Sequence, residues 1–173
     1  NGHPDVISVA ASNNLAKRSW YSSYGTPVDV CAPTNDFNPI FSGNLCPEIW
    51  TGGTLGITTT DLSGALGSSN TSYTNNFGGT SSACPTVTGV CALILSINAT
   101  FTRVQVQETL SSTCEKIDQE GGAYDDNGFS IFYGFGRVDA AAAVGEGPVI
   151  PTFTPTPIPT STSTPTRTQT PTP

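Results

Sequence analysis

Apolar positions in this chain come first in short β-branched runs and then in longer helical stretches. Val6-Ile7-Ser8-Val9-Ala10-Ala11 predicts a buried strand, and Ser12-Asn13-Asn14 marks the turn after it. Val28-Asp29-Val30-Cys31-Ala32 predicts a second strand, stopped by Pro33. Residues 33–56 are rich in Gly, Pro and Asn and predict a long irregular excursion. Leu55-Gly56-Ile57-Thr58-Thr59-Thr60 predicts a third strand, and the small, polar stretch from Gly64 to Asn76 predicts an exposed loop.

Gly78-Gly79-Thr80-Ser81-Ser82-Ala83 then leads into Ala83–Ile97, the most continuous apolar segment. It is apolar on nearly all sides, which predicts a central buried helix rather than a surface one. Pro85 suits a first turn, where its missing N–H costs nothing. Gly89 in mid-helix costs about 1 kcal/mol against Ala and points to a close backbone approach. Thr102 predicts the N-cap of a second helix over Arg103 to Cys114, with Val104, Leu110 and Cys114 facing inward. Asp125-Asp126-Asn127-Gly128 predicts a tight turn, since Asn-Gly favours a hairpin, and its incomplete D-x-D pattern does not make an EF-hand loop. A poly-Ala helix follows over Ala140–Val144.

Composition narrows the function classes. Charged residues are 11% of the 173, against about 25% in an ordinary soluble domain. Gly, Ser, Thr and Asn fill the gap, giving a neutral, loop-rich surface. The net charge of −7, with one basic pair at Lys17-Arg18, excludes a phosphate-binding face, so nucleic acid is not a partner. No apolar run reaches the roughly 18 residues of a membrane span. The five Cys, at 31, 46, 84, 91 and 114, show no C-x-x-C spacing, and the chain has one His, which argues against a zinc site. Cys31, Cys84 and Cys91 sit in apolar runs and read as small hydrophobes. Cys46 and Cys114 are left as a pair open to oxidation, with connectivity undetermined.

Two regions follow: residues 1–146 as a folded unit, and residues 147–173 as a Pro/Thr/Ser-rich disordered linker with too few apolar residues to form a core. A linker implies a further domain beyond it. Asn70-Thr71-Ser72 and Asn98-Ala99-Thr100 match the glycosylation sequon, a triplet common by chance in Asn/Thr-rich chains.

The candidate chemistry is at Ser81. A Ser at a helix N-terminus sits where unpaired N–H groups and the macrodipole favour negative charge. An oxyanion formed by its attack on a carbonyl would be stabilised by the Ser81 backbone N–H. Gly78 and Gly79 allow close approach of chain and substrate. The simpler alternative makes Ser81 or Ser82 a helix cap.

The wider context weighs against the cap. Gly79-Thr80-Ser81-x-Ala83-x-Pro85, followed by Val87-x-Gly89, resembles the nucleophile motif of the subtilisin-like serine proteases (peptidase family S8). Pro4 to Ala11, Ser19-Trp20-Tyr21-Ser22-Ser23-Tyr24-Gly25 and Val28 to Pro33 resemble the family upstream, and Tyr133-Gly134-Phe135-Gly136-Arg137-Val138-Asp139-Ala140 resembles its closing segment. Trp20-Tyr21-Ser22 and Ile57 to Asp61 lean toward the kexin-like branch. The resemblance implies an α/β fold: a subtilisin-like three-layer arrangement with a parallel sheet and helices on both faces, of which this chain holds the later strands and the nucleophile helix.

It also implies a serine endopeptidase acting through an acyl-enzyme on Ser81. The triad Asp and His and the oxyanion Asn would lie upstream of this chain, so the fragment alone would be inactive. His3 precedes a strand that in the family follows the triad His, and is not the base. No cofactor is required for the chemistry. Structural Ca2+ is implied, with ligands mostly outside this chain. Asp29 is the metal candidate within it, against the plainer reading of a strand-end Asp satisfied by backbone N–H groups. Ser23 stands where the kexin-like branch often carries an acidic calcium ligand. Partners would be a protein or peptide substrate and a propeptide, and the location secreted or cell-surface. The competing class is a non-catalytic extracellular binding or stalk module.

Overall fold

The structure, a computed structural model, describes residues 2–37 and 51–145. The linker from 147 onward and Cys46 lie outside them.

Seven elements follow in chain order: β1 (Val9–Ser12), β2 (Val30–Pro33), β3 (Ile57–Thr60), β4 (Tyr73–Phe77), α1 (Thr80–Ile97), α2 (Arg103–Thr113) and α3 (Ala140–Val144). β1 and β2 pair in parallel, Val9 opposite Val30 and Ser12 opposite Pro33. A parallel pair is buried on both faces, which is why its residues read as a continuous apolar run. Arg137 adds alongside Cys31 in parallel, and Glu115 pairs antiparallel with Arg137. The closing segment thus widens the sheet by two short rungs. Pro33 ends β2 from inside the strand rather than from beyond it.

Successive residues of a strand face opposite ways, and two cores result. Val30 and Ala32 face α1, α2 and α3, where Val87, Val90, Ile94, Val106 and Leu110 complete one cluster. Ala10 and Cys31 face the irregular segment 115–136, where Ile117 and Tyr133 complete the other. Each fully buried Val, Leu or Ile contributes about 1.5–3 kcal/mol. Among the described residues the helices cover one face of the parallel sheet and segment 115–136 covers the other. The architecture is a partial α/β domain.

Segment 115–136 is held by polar ties. The Arg18 amide donates to the Tyr133 hydroxyl at 2.7 Å, and that hydroxyl donates to Asp118 Oδ2 at 2.9 Å. Lys17 pairs with the same carboxylate, whose side chain is only 9% exposed. Burial pushes the Asp118 carboxyl up, but the Lys17 and Tyr133 hydrogen bonds outweigh it and hold the group below its ordinary range. The expected Asp125–Gly128 turn is present, closed by the Gly128 amide on the Asp125 carbonyl at 2.9 Å, without a strand pair around it.

Several expectations are corrected. Strand β4 occupies the end of the stretch read as loop, and pairs antiparallel with β3. Helix α1 begins at Thr80, not Ala83, so Pro85 lies in its second turn. The Ser81 carbonyl there loses the N–H donor that a residue other than Pro would supply. α1 buries Ser82, Ala83, Val87, Val90 and Ile94, a single face. The opposite face is open among the described residues: Leu93 is 47% and Ile97 61% exposed, and a Cβ on Gly89 would meet nothing within 4 Å. By length and composition α1 could cross a membrane, yet its inner face packs on β1, β2, α2 and α3. In α2 the capping box of Thr102 and Gln105 is present, but Val106 takes the inward place expected of Val104, which is 48% exposed. Cys84 is exposed rather than packed.

Candidate active site

Ser81 sits where the carboxyl end of β2 meets the first turn of α1. Gly79, the N-cap of α1, has φ 82° and ψ 173° and makes no side-chain cap. That conformation is essentially confined to glycine. The turn is closed instead by the Ser82 amide, which donates to the Gly79 carbonyl at 3.0 Å. Ser81 is therefore the second helical residue and not the cap.

The two adjacent serines have opposite surroundings. Ser82 is 3% exposed, and its hydroxyl lies 2.6 Å from Thr34 Oγ1 and donates to the Gly79 carbonyl at 3.0 Å. Ser81 is exposed, and among the described residues nothing accepts from its hydroxyl or from the Thr80 and Ser81 amides. These are the orphan donors of a helix start, aimed where negative charge is favoured.

The turn before Ser81 is held from β2. The Gly79 amide donates to both Asn35 Oδ1 at 3.1 Å and the Tyr21 hydroxyl at 3.2 Å. Thr34 Oγ1 donates to the Gly79 carbonyl at 2.9 Å. Gly78 is compelled by contact: a Cβ there would fall 1.9 Å from Asn35 Cγ. Thr34 and Asn35 escaped the sequence reading. The available signal was their place, directly after a parallel strand, where α/β sheets put their ligand crevices.

Beside Thr80 and Cys84 opens a cleft of about 400 Å3, whose other walls include Ile7, Val9 and Tyr24. Val6 to Val9, the segment that leads into β1, form one of its walls. His3 is elsewhere: its Nδ1 accepts from the Asp5 amide at 3.2 Å, and it makes no hydrogen bond to the α1 N-terminus. Asp29 makes no hydrogen bond to the α1 N-terminus either. Its Oδ2 accepts from the Ser8 amide at 2.6 Å and its Oδ1 from Gln107 Nε2 at 3.0 Å. Both oxygens face donors, so a cation at Asp29 would have to displace them. Among the described residues no three His, Cys, Asp or Glu gather as metal ligands.

Known proteins resemble this chain. The model of the subtilase family matches residues 2–136. A "Calcium-dependent protease" of Trichormus variabilis is 44% identical over 140 residues, covering 80% of this chain and 20% of that protein. Subtilisin from Bacillus pumilus is 31% identical over 141 residues, covering 82% of this chain and 38% of that protein. Among solved structures, a protease from Pseudoalteromonas arctica superposes with a TM-score of 0.53 at 30% identity, over 82% of this chain and 35% of that one. The chain thus spans about a fifth to two-fifths of the length of these relatives. With the family model spanning both parallel strands, the Gly78–Gly79 turn and the helix behind Ser81, this chain belongs to the subtilase family.

Proposed function

We propose that this chain is the C-terminal part of the catalytic domain of a secreted serine endopeptidase, with Ser81 as its nucleophile. The observation that carries the reading is the contrast at the α1 N-terminus: Ser82 is locked inside, while Ser81 is exposed beside two unused amides. A Ser hydroxyl needs a base within hydrogen-bond reach. A His oriented by an Asp, both upstream of this chain, would take the Ser81 proton as Oγ bonds to the scissile carbonyl carbon. The resulting oxyanion would accept from the Ser81 amide and from an upstream Asn. The His then passes the proton to the leaving amine, and water hydrolyses the acyl-enzyme.

The substrate is a protein or peptide. The kexin-like leaning rests on Trp20-Tyr21-Ser22 and Ile57 to Asp61; the relatives named above are a calcium-dependent protease, a Bacillus subtilisin and a Pseudoalteromonas protease. Structural Ca2+ would be held mainly by residues outside this chain, because the Asp29 oxygens already face donors. Residues 147–173 would connect to a further domain.

Fluorophosphonate labelling of the full-length protein, with peptide mapping, tests the proposal. Modification confined to Ser81, and abolished by Ser81→Ala, is the expected result. A folded protein that takes no label would leave Ser81 without an activated hydroxyl and turn the reading to a non-catalytic extracellular module.

A further inference from the structure

The Trp20-Tyr21-Ser22 turn has no part in the acyl transfer above, yet it is tied into the loop that presents Ser81. Ser19 Oγ donates to the Asn35 carbonyl at 2.8 Å, the Trp20 amide to Asp36 Oδ1 at 2.7 Å, and Trp20 Nε1 to the Phe37 carbonyl at 3.1 Å. Residues 19–21 and 35–37 therefore form one zipped unit. The Tyr21 hydroxyl has one proton to give. Asn35 offers it two close acceptors, the carbonyl at 2.7 Å and Oδ1 at 2.6 Å. In return the same hydroxyl and Asn35 Oδ1 share the Gly79 amide proton.

We infer that Tyr21 and Asn35 are positioning residues for Ser81, clamping the Gly79 amide so that the Gly78–Gly79 turn holds the Ser81 hydroxyl and its backbone N–H at one point. The inference rests on the acyl-transfer reading. Two successive glycines give this turn the greatest backbone freedom of any residue pair. Gly79 has no side chain with which to restrain itself, and a misplacement of about 1 Å can cost roughly a hundredfold in rate. The clamp removes that freedom from outside. Thr34 Oγ1 holds the Gly79 carbonyl while Tyr21 and Asn35 hold its N–H, so both polar groups of the residue are tethered. Asn35 in turn packs against Gly78, where a Cβ would fall 1.9 Å from its Cγ.

The test uses the full-length protein with Tyr21→Phe, Asn35→Ala and Asn35→Asp. Two rates are read under conditions where circular dichroism shows each variant folded: the second-order constant for fluorophosphonate labelling at Ser81, and kcat with KM on casein. Tyr21→Phe should lower labelling and kcat by about tenfold, the rate equivalent of one good hydrogen bond. Asn35→Ala should lower them further, with KM within about twofold of wild type. Asn35→Asp keeps an oxygen facing Gly79 and should recover most of the rate. Wild-type rates per folded molecule in Tyr21→Phe and Asn35→Ala, even with lowered melting temperatures, would make the cluster a structural brace and overturn the inference. A wild-type protein that folds but takes no label would sink the acyl-transfer reading itself, and the positioning role with it.

Discussion

Gly89 gives two opposite expectations for one substitution. Gly in a helix interior costs about 0.8–1.0 kcal/mol relative to Ala, and a Cβ built on Gly89 meets nothing within 4 Å among the described residues. In chain 1–173 alone, Gly89→Ala should therefore stabilise by about 0.5–1 kcal/mol. At a urea slope of about 2 kcal/mol/M this moves the midpoint up by roughly 0.25–0.5 M. If upstream chain covers α1 in the full-length protein, the added methyl enters an occupied contact, where overpacking costs about 1–3 kcal/mol. The sign should then reverse. Val87→Ala on the buried face is the control, losing about 2–3 kcal/mol in both contexts because Val87 is already only 2% exposed in this chain. Urea unfolding followed by circular dichroism, run on both lengths, reads the difference. Stabilisation of equal size in both would mean that nothing covers the open face of α1 in the longer protein.

Thiol reactivity should sort the cysteines by depth. Burial pushes the Cys31 thiol up to about 12 and the Cys114 thiol up to about 11, so iodoacetamide at pH 8 should modify the exposed Cys84 first and reach Cys31 and Cys114 only on unfolding. Rapid modification of Cys31 in folded protein would contradict its burial. Acid should loosen the clamp on segment 115–136. The Asp118 carboxyl titrates lower when folded than its ordinary 3.8, so its stabilisation is full above that value and drains away as pH falls through the folded one. Asp118→Asn should flatten the acid limb of a stability-against-pH curve measured by urea melts, and an unchanged limb would place the acid sensitivity elsewhere. Gly79→Ala should cost about 1–3 kcal/mol through backbone strain alone, because a Cβ there meets nothing closer than 3.7 Å while φ is 82°. A melt indistinguishable from wild type would show that the turn relaxes.

Local pattern carried much of this protein. The β-branched runs around Val9 and Val30, the Thr102 cap, the Ala140–Val144 helix and the presence of a helix behind Gly78-Gly79-Thr80-Ser81 were legible because each depends on neighbours in sequence: alternation, capping chemistry and helix-terminus dipoles. What failed depended on partners far along the chain. Val104 and Val106 are equally apolar, and only docking against Leu110 and α1 decided which one turns inward. Hydrophobicity alone called α1 buried all round, but burial needs a second surface, and among the described residues one face has none. Tyr73–Asn76 looked like loop because it ends a stretch of mostly small and polar residues, and its strand conformation comes from pairing with Ile57–Thr60. The identity of Ser81 as a candidate nucleophile was readable from its motif. The contrast between exposed Ser81 and buried Ser82, and the grip of Tyr21, Thr34 and Asn35 on Gly79, were not. Those hydrogen bonds join residues 44 to 58 positions apart, and contacts of that separation exist only once the chain has folded.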